Sequence, residues 1–287
     1  MEQNAPFRLM EPGRLTASAV FNSPHSGRDY PAELIRRSRL TPLGLRASED
    51  VLVDALFAAA PEHGAPLLAA TAPRAWLDLN RAPTELDPAL IRGVQPHGLN
   101  QRVAAGLGVI PRVVSEGAQI YCGKIDREEA EARIRTVHEP YHRMLESLLL
   151  RAQDTFGIAV LFDCHSMPSE ALRAAPRVQG RCPEIVLGDR FGAAASRALV
   201  AITQSAFERA GFVVARNAPF AGGYITQRYG RPSRGMHAIQ IEIDRGLYLD
   251  QVALEPLPVF DGIRERLSQV IGELVEITPG VAGLAAE

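Results

Sequence analysis

The sequence predicts an α/β fold built on a mostly parallel sheet, and three observations carry that prediction. Short apolar runs recur along the chain, of the kind that strands covered on both faces require. Between them lie stretches with helical hydrophobic spacing, so strand and helix alternate. The 287 residues are 46% hydrophobic, enough to bury a sizeable core, and no internal repeat or low-complexity linker divides them. The expectation is therefore a single domain over residues 1–287.

Taken in order, residues 1–11 are polar and contain prolines, which does not read as a secretory leader. The first strand is expected at 19–23, ended by Pro24. A helix follows at 48–60, where Ser48-Glu49-Asp50 puts acids at the end that the helix dipole favours. Strands are expected at 67–70 and 75–79. Residues 80–117 hold Pro83, Pro88, Pro96 and Pro111 with little periodicity, and loops of that length in compact domains are usually functional or disordered. A long helical pattern covers 126–156, although Pro140 makes a regular turn there doubtful. Strands are then expected at 158–163, 184–187, 212–215 and 238–243, and helices at 191–210 and 259–275. The loop 166–183 follows a strand end directly, and ligands of open α/β sheets bind beyond strand carboxyl ends.

Composition excludes several function classes. With a formal charge of -2 and scattered arginines, the chain has no basic stripe for nucleic acid, and it has few aromatic residues for base stacking. The apolar stretch at 144–150 is flanked by charges and fits a buried helix face, not a membrane span. Cys122, Cys164 and Cys182 are odd in number and widely spaced, so reduced buried thiols are expected, consistent with a cytoplasmic location. Neither a Gly-x-Ser-x-Gly elbow nor a P-loop or Gly-x-Gly-x-x-Gly pattern occurs, which argues against a serine hydrolase or a phosphate-binding enzyme.

Four groups recur at strand ends or helix starts. His25 stands just past the first strand, before Gly27. Asp50 sits at a helix start beside Glu49. His165 ends the apolar strand Leu161-Phe162-Asp163-Cys164-His165, and Glu242 lies in Ile239-Gln240-Ile241-Glu242-Ile243. A carboxylate in such a strand either faces solvent on an edge or lies in a site with a charged partner, because burying it unpaired costs several kcal/mol. The grouping has a chemical basis. Catalytic zinc commonly takes two His and one carboxylate, leaving a position for water, and a further carboxylate must accept that water's proton. His25, Asp50 and His165 supply the first set and Glu242 the second. Asp163 is a candidate to orient an imidazole, although strand alternation was a reason to expect it turned away.

At these residues the chain resembles the N-formylglutamate amidohydrolase family. The resemblance rests on Ser23-Pro24-His25-Ser26-Gly27, Glu49-Asp50 with Val53-Asp54, Asp78-Leu79-Asn80-Arg81, Asp163-Cys164-His165-Ser166, Gly222-Gly223-Tyr224-Ile225-Thr226 and His237-Ala238-Ile239-Gln240-Ile241-Glu242. It implies a three-layer α/β/α fold with a mixed, mostly parallel sheet, similar to zinc carboxypeptidases. It also implies a zinc cofactor on His25, Asp50 and His165, with Glu49 in reserve for Asp50, and Glu242 as general base. Asn80 and Arg81 resemble a pair that grips a substrate carboxylate, a role for which a planar guanidinium is suited. The glycine loop would bring the hydroxyl of Tyr224, or Thr226, over the substrate.

The implied activity is hydrolysis of N-formyl-L-glutamate, or a similar small acidic N-acyl amino acid, to formate and the amino acid. Arginines in 99–117 and 173–181 are candidates for a second carboxylate. A zinc hydrolase of another peptide or peptidoglycan amide, and a non-catalytic binding protein on the same scaffold, are the alternatives. His138 and His142 are spaced i, i+4 without completing a zinc motif, so packing or a substrate-side contact is expected of them. His237 reads as a packed strand residue, and His63 and His97 as surface residues.

Overall fold

The computed structural model describes residues 5–95, 98, 100–114, 117–173, 175–278 and 280. Its main sheet comprises β1 (Phe7–Met10), β2 (Ala19–Ser23), β3 (Leu67–Ala70), β4 (Ala159–Met167), β5 (Ile185–Gly188), β6 (Val214–Arg216) and β7 (Met236–Asp244). These lie in the order β1-β3-β2-β4-β7-β5-β6. β2, β4 and β7 are mutually parallel, as are β5 and β6, while β5 runs antiparallel to β7. The sheet is thus mixed and mostly parallel, the three-layer α/β arrangement that the sequence predicts. A short antiparallel pair, β8 (Leu249–Asp250) and β9 (Glu255–Pro256), follows it.

The helices are α1 (Ala32–Arg37), α2 (Pro42–Leu45), α3 (Val53–Leu56), α4 (Gln101–Ala104), α5 (Arg127–Arg133), α6 (Glu139–Phe156), α7 (Arg197–Arg209), α8 (Tyr224–Tyr229) and α9 (Phe260–Leu274). Two compact units are distinguishable: Met1–Arg8 with Pro24–Glu49 and Ala69–Met144, and Leu9–Ser23 with Asp50–Leu68 and Leu145–Glu287. The second unit holds the central strands and the largest core. Phe21, Val160, Phe162, Cys164, Ile239, Ile241 and Ile243 pack there with Leu56, Phe207, Leu267 and Ile271 from α3, α7 and α9. Side chains alternate across a strand, so one face of β2, β4 and β7 is this core. The other face carries Asn22, Asp163, His165, Gln240 and Glu242. No described helix is long and apolar enough to cross a membrane.

Three departures from the predicted elements have local causes. Residues 75–79 form no strand. Trp76 and Leu77 donate back to the Pro73 carbonyl in a turn, while Ala75, Leu77 and Leu79 are buried, so alternate burial imitated a strand pattern. The helix expected at 48–60 is broken: a 3₁₀ turn ends at Ser48, Leu52 takes φ +62°, and only Val53–Leu56 is α-helical, so Asp50 lies in the connection before α3. In 126–156 the chain stays helical but widens to a π turn over Ile134–His138, immediately before Pro140. Proline has no N–H to donate four residues back, and an i→i+5 segment accommodates the loss. β1, with a half-exposed burial pattern, had no apolar signature to announce it.

Candidate metal centre

The strand alternation fixes which polar side chains share a face. β4 and β7 pair in parallel register with Asp163 opposite Gln240 and His165 opposite Glu242, so these four project on the face away from the apolar core. Asp163 stands two residues before His165 and therefore on the same side of β4, contrary to the expectation that alternation turns it away; its Oδ1 lies 3.0 Å from His165 Nε2. The other ring nitrogen of His165, Nδ1, is 3.0 Å from Asp50 Oδ2. Burial opposes a charged imidazole here, but Asp163 and Asp50, with Glu242 beyond, overcome it and hold His165 well above the ordinary histidine range. This is an environment that favours positive charge.

Asp50 is held from its opposite side by Arg245, whose Nη2 donates to Oδ1 at 2.8 Å and whose Nε donates to Ser166 Oγ at 3.1 Å. Glu49, the reserve carboxylate, is turned elsewhere: Arg46 Nε donates to it at 2.9 Å and the Tyr30 hydroxyl at 3.2 Å. Glu242, on β7, accepts from Gln240 Nε2 at 2.7 Å, and Gln240 Oε1 in turn accepts the Gly223 N–H at 2.9 Å. The buried Glu of the Ile-Glu-Ile sequence is therefore on a central strand and anchored, not on a solvent-facing edge.

His25 follows β2 by two residues. Gly27 beside it is required by close approach, since a Cβ there would come within 2.0 Å of the Ala72 carbonyl oxygen. His25 Nε2 is 2.7 Å from Asp78 Oδ1, leaving Nδ1 as the ring's other nitrogen. Asp78 is a hub that the sequence motif did not reveal. The same carboxylate accepts the Asn80 N–H at 2.8 Å and Arg74 Nε at 2.9 Å, and lies 3.9 Å from Arg81 Nε. Burial raises its pKa, but Arg74, His25 and Arg81 prevail and hold it well below the usual carboxylate range.

His25, Asp50 and His165 are all buried, and each offers one ligand atom within 4.8 Å of the others. Two imidazoles and a carboxylate suit zinc, and each imidazole has a carboxylate at a ring nitrogen, the arrangement that fixes tautomer and ring orientation around a metal. The residues present fit the ion that the sequence implies.

Arg81 is buried, and its Nε has no hydrogen-bond partner among the described residues. Burial lowers its pKa and Arg102 and Arg74 lower it further, against the opposing charges of Asp78 and Glu85. The nearest opposite charge to this guanidinium is Asp78, 3.9 Å from Nε, a carboxylate that Arg74 also engages at 2.9 Å. Of the remaining candidate arginines, Arg112 is committed to Asp87, Arg173 to Glu170 and Arg177 to the Gly180 carbonyl. His138 Nε2 meets the Arg81 carbonyl at 2.9 Å, and His142 Nε2 meets the Leu79 carbonyl at 2.9 Å.

Tyr224 opens α8 and its hydroxyl accepts from Arg228 Nη1 at 3.0 Å. Thr226 is turned inward, donating to the Gly223 carbonyl at 2.9 Å, so it is not available to a substrate as the sequence reading allowed. Cys164 points into the apolar core, where burial pushes its thiol up, while Cys122 and Cys182 are exposed rather than buried. His237 is buried as expected, His63 lies against Ser268, and His97 is outside the described residues.

Comparison with known proteins supplies independent observations. The family model described as N-formylglutamate amidohydrolase matches residues 17–249. An N-formylglutamate deformylase of Pseudomonas aeruginosa is 33% identical over 253 residues, covering 83% of this chain and 88% of the relative. One from Pseudomonas putida is 27% identical over 261 residues, covering 90% of each. The crystal structure of N-formylglutamate amidohydrolase from Ralstonia eutropha JMP134 superposes with a TM-score of 0.88 at 34% identity, covering 95% of this chain and 98% of that one.

Proposed function

This chain belongs to the N-formylglutamate amidohydrolase family, and from that premise we propose that it is a zinc-dependent amidohydrolase acting on N-formyl-L-glutamate or a closely similar acidic N-acyl amino acid. The observation that carries the reading is the convergence of His25, Asp50 and His165 within 4.8 Å, with Glu242 in register with His165. The family match runs across both compact units, which favours reading them as one catalytic domain.

His25, Asp50 and His165 would hold the ion through two imidazole nitrogens and one carboxylate oxygen. Bound there, zinc supplies Lewis acidity, bringing a water's pKa toward neutrality and polarising the acyl carbonyl. Asp78 and Asp163 hold the two imidazoles in orientation, and Arg245 holds Asp50. Glu242 is the general base: it takes a proton from the attacking water and returns it to the departing amine nitrogen as the C–N bond breaks. The Gln240 amide fixes the Glu242 carboxylate from one oxygen.

Arg81, with Asn80, binds the substrate carboxylate and so orients the amide toward the base. Arg74 and Arg102 add positive potential around Arg81, which suits a substrate carrying two carboxylates. Tyr224 lends its hydroxyl at the substrate side. One water is consumed, and formate and glutamate are the products. The test is a panel of N-formyl and N-acetyl amino acids assayed with the native chain and with Glu242→Gln. The expected result is preference for the formylated acidic amino acid and loss of about 10²–10⁴-fold in turnover in the variant. Full activity in Glu242→Gln would assign the base elsewhere, and a native chain that turns over no member of the panel would favour the non-catalytic reading.

A further inference from the structure

We propose that His138 and His142 are positioning residues that suspend the Leu79-Asn80-Arg81 segment and so set the aim of Arg81, an inference that rests on the carboxylate-binding role given to Arg81 above. The two imidazoles are buried and stand on one helix face, their ring centroids 4.2 Å apart. Each directs Nε2 at a backbone carbonyl, His142 at Leu79 and His138 at Arg81, both at 2.9 Å. A carbonyl only accepts, so both rings carry their proton on Nε2 in these contacts.

Residues 79–81 lie in a turn and bend, and the two rings, four positions apart on the helix, reach the first and third carbonyls of that segment. His138 is the last residue of the π turn and His142 follows Pro140, so the irregularity of this helix lies where the pair is presented. π turns inside helices recur at functional sites. The segment is tied on its other side as well. The Asn80 N–H goes to Asp78 Oδ1 at 2.8 Å and the Ala82 N–H to Glu85 Oε1 at 3.3 Å. Arg81 is thus borne on a backbone held by side chains on both edges, in a stretch that forms neither helix nor strand.

The experiment compares wild type with His142→Leu, which removes the donor, and His142→Gln, whose amide nitrogen stands in for Nε2, on two substrates: N-formylglutamate and an N-formyl alkylamine with no carboxylate. For N-formylglutamate the expected result is a KM raised about tenfold in His142→Leu with kcat changed far less, and recovery in His142→Gln. On the alkylamine all three proteins perform alike. Equal losses on both substrates, or an unchanged KM, would overturn the proposal. If wild type does not favour the carboxylate substrate, the role given to Arg81 fails instead. Hydrogen exchange then decides the clamp by itself: the amides of Asn80 and Ala82 exchange about tenfold faster in His142→Leu, and unchanged exchange overturns it.

Discussion

Replacing Asp78 with asparagine removes one negative charge from the point where His25, Arg74, Arg81 and the Asn80 amide meet. Breaking a buried ion pair by deleting one partner costs about 3–5 kcal/mol, because the other charge is left uncompensated. Arg74 is 26% exposed and can rehydrate, and asparagine keeps an oxygen for the Asn80 amide, so a loss of about 2–3 kcal/mol is expected. At about 2–4 °C per kcal/mol for chains of this size, the midpoint of thermal unfolding falls by roughly 5–10 °C. Losing the carboxylate that orients His25 also weakens zinc by about 10–100-fold in a competition titration against a chelating dye.

The pH dependence has a definite sign. Asp78 is held below its unfolded pKa, so its contribution is complete above the ordinary carboxylate range, near 4, and is lost as pH falls through the folded value. Asp78→Asn should therefore lose stability at neutral pH and show a shallower acid limb. A variant with unchanged melting, zinc affinity and acid limb would refute the view of Asp78 as the organising charge.

Two other outcomes follow from the same geometry. Arg81→Ala should lower kcat/KM for N-formylglutamate by about 10–100-fold, as expected for a lost charge-assisted contact of about 1.5–3 kcal/mol, with zinc content unchanged by elemental analysis; equal loss of both would make Arg81 structural. His237 has its pKa pushed down to about 4 by burial, and the Ser196 N–H donates to its Nδ1 at 3.3 Å. The unfolded chain therefore takes up that proton first, and the stability that neutral His237 contributes is full above about pH 6.5 and lost between there and about pH 4. Discounted for solvent screening, about 1–2 kcal/mol is at stake, and urea titrations at pH 7.5 and 5 should show a difference that His237→Asn flattens.

The central strands were legible because both faces of the sheet are covered. The runs at 19–23, 67–70, 158–163 and 238–243 have few other places to go, and each became a strand. The misreading at 75–79 has the same root: Ala75, Leu77 and Leu79 are buried in a turn set by Pro73, and burial alone does not distinguish turn from strand. Among the candidate site residues, the grouping of His25, Asp50 and His165 was legible by residue type, although Asp50 lies in a connection and His165 within β4 rather than at element ends. Their partners were harder to read. Asp78 meets His25 across 53 positions and Arg245 meets Asp50 across 195, separations that no local pattern encodes. Asp163 was expected to turn away, yet two residues along a strand return to the same face, which puts it beside His165. Asp50 was preferred with Glu49 in reserve, and the structure separates them physically: Glu49 meets Arg46 and Tyr30, while Asp50 meets His165 and Arg245.

Elemental analysis of the purified native chain beside His165→Ala and His25→Ala, with deformylation of N-formylglutamate followed in the same samples, addresses the metal centre directly. The account predicts about one zinc per native chain, little in either variant, and activity that a chelator abolishes and zinc restores. Native protein that deformylates the substrate without any divalent ion, or variants that keep their full metal content, would contradict it.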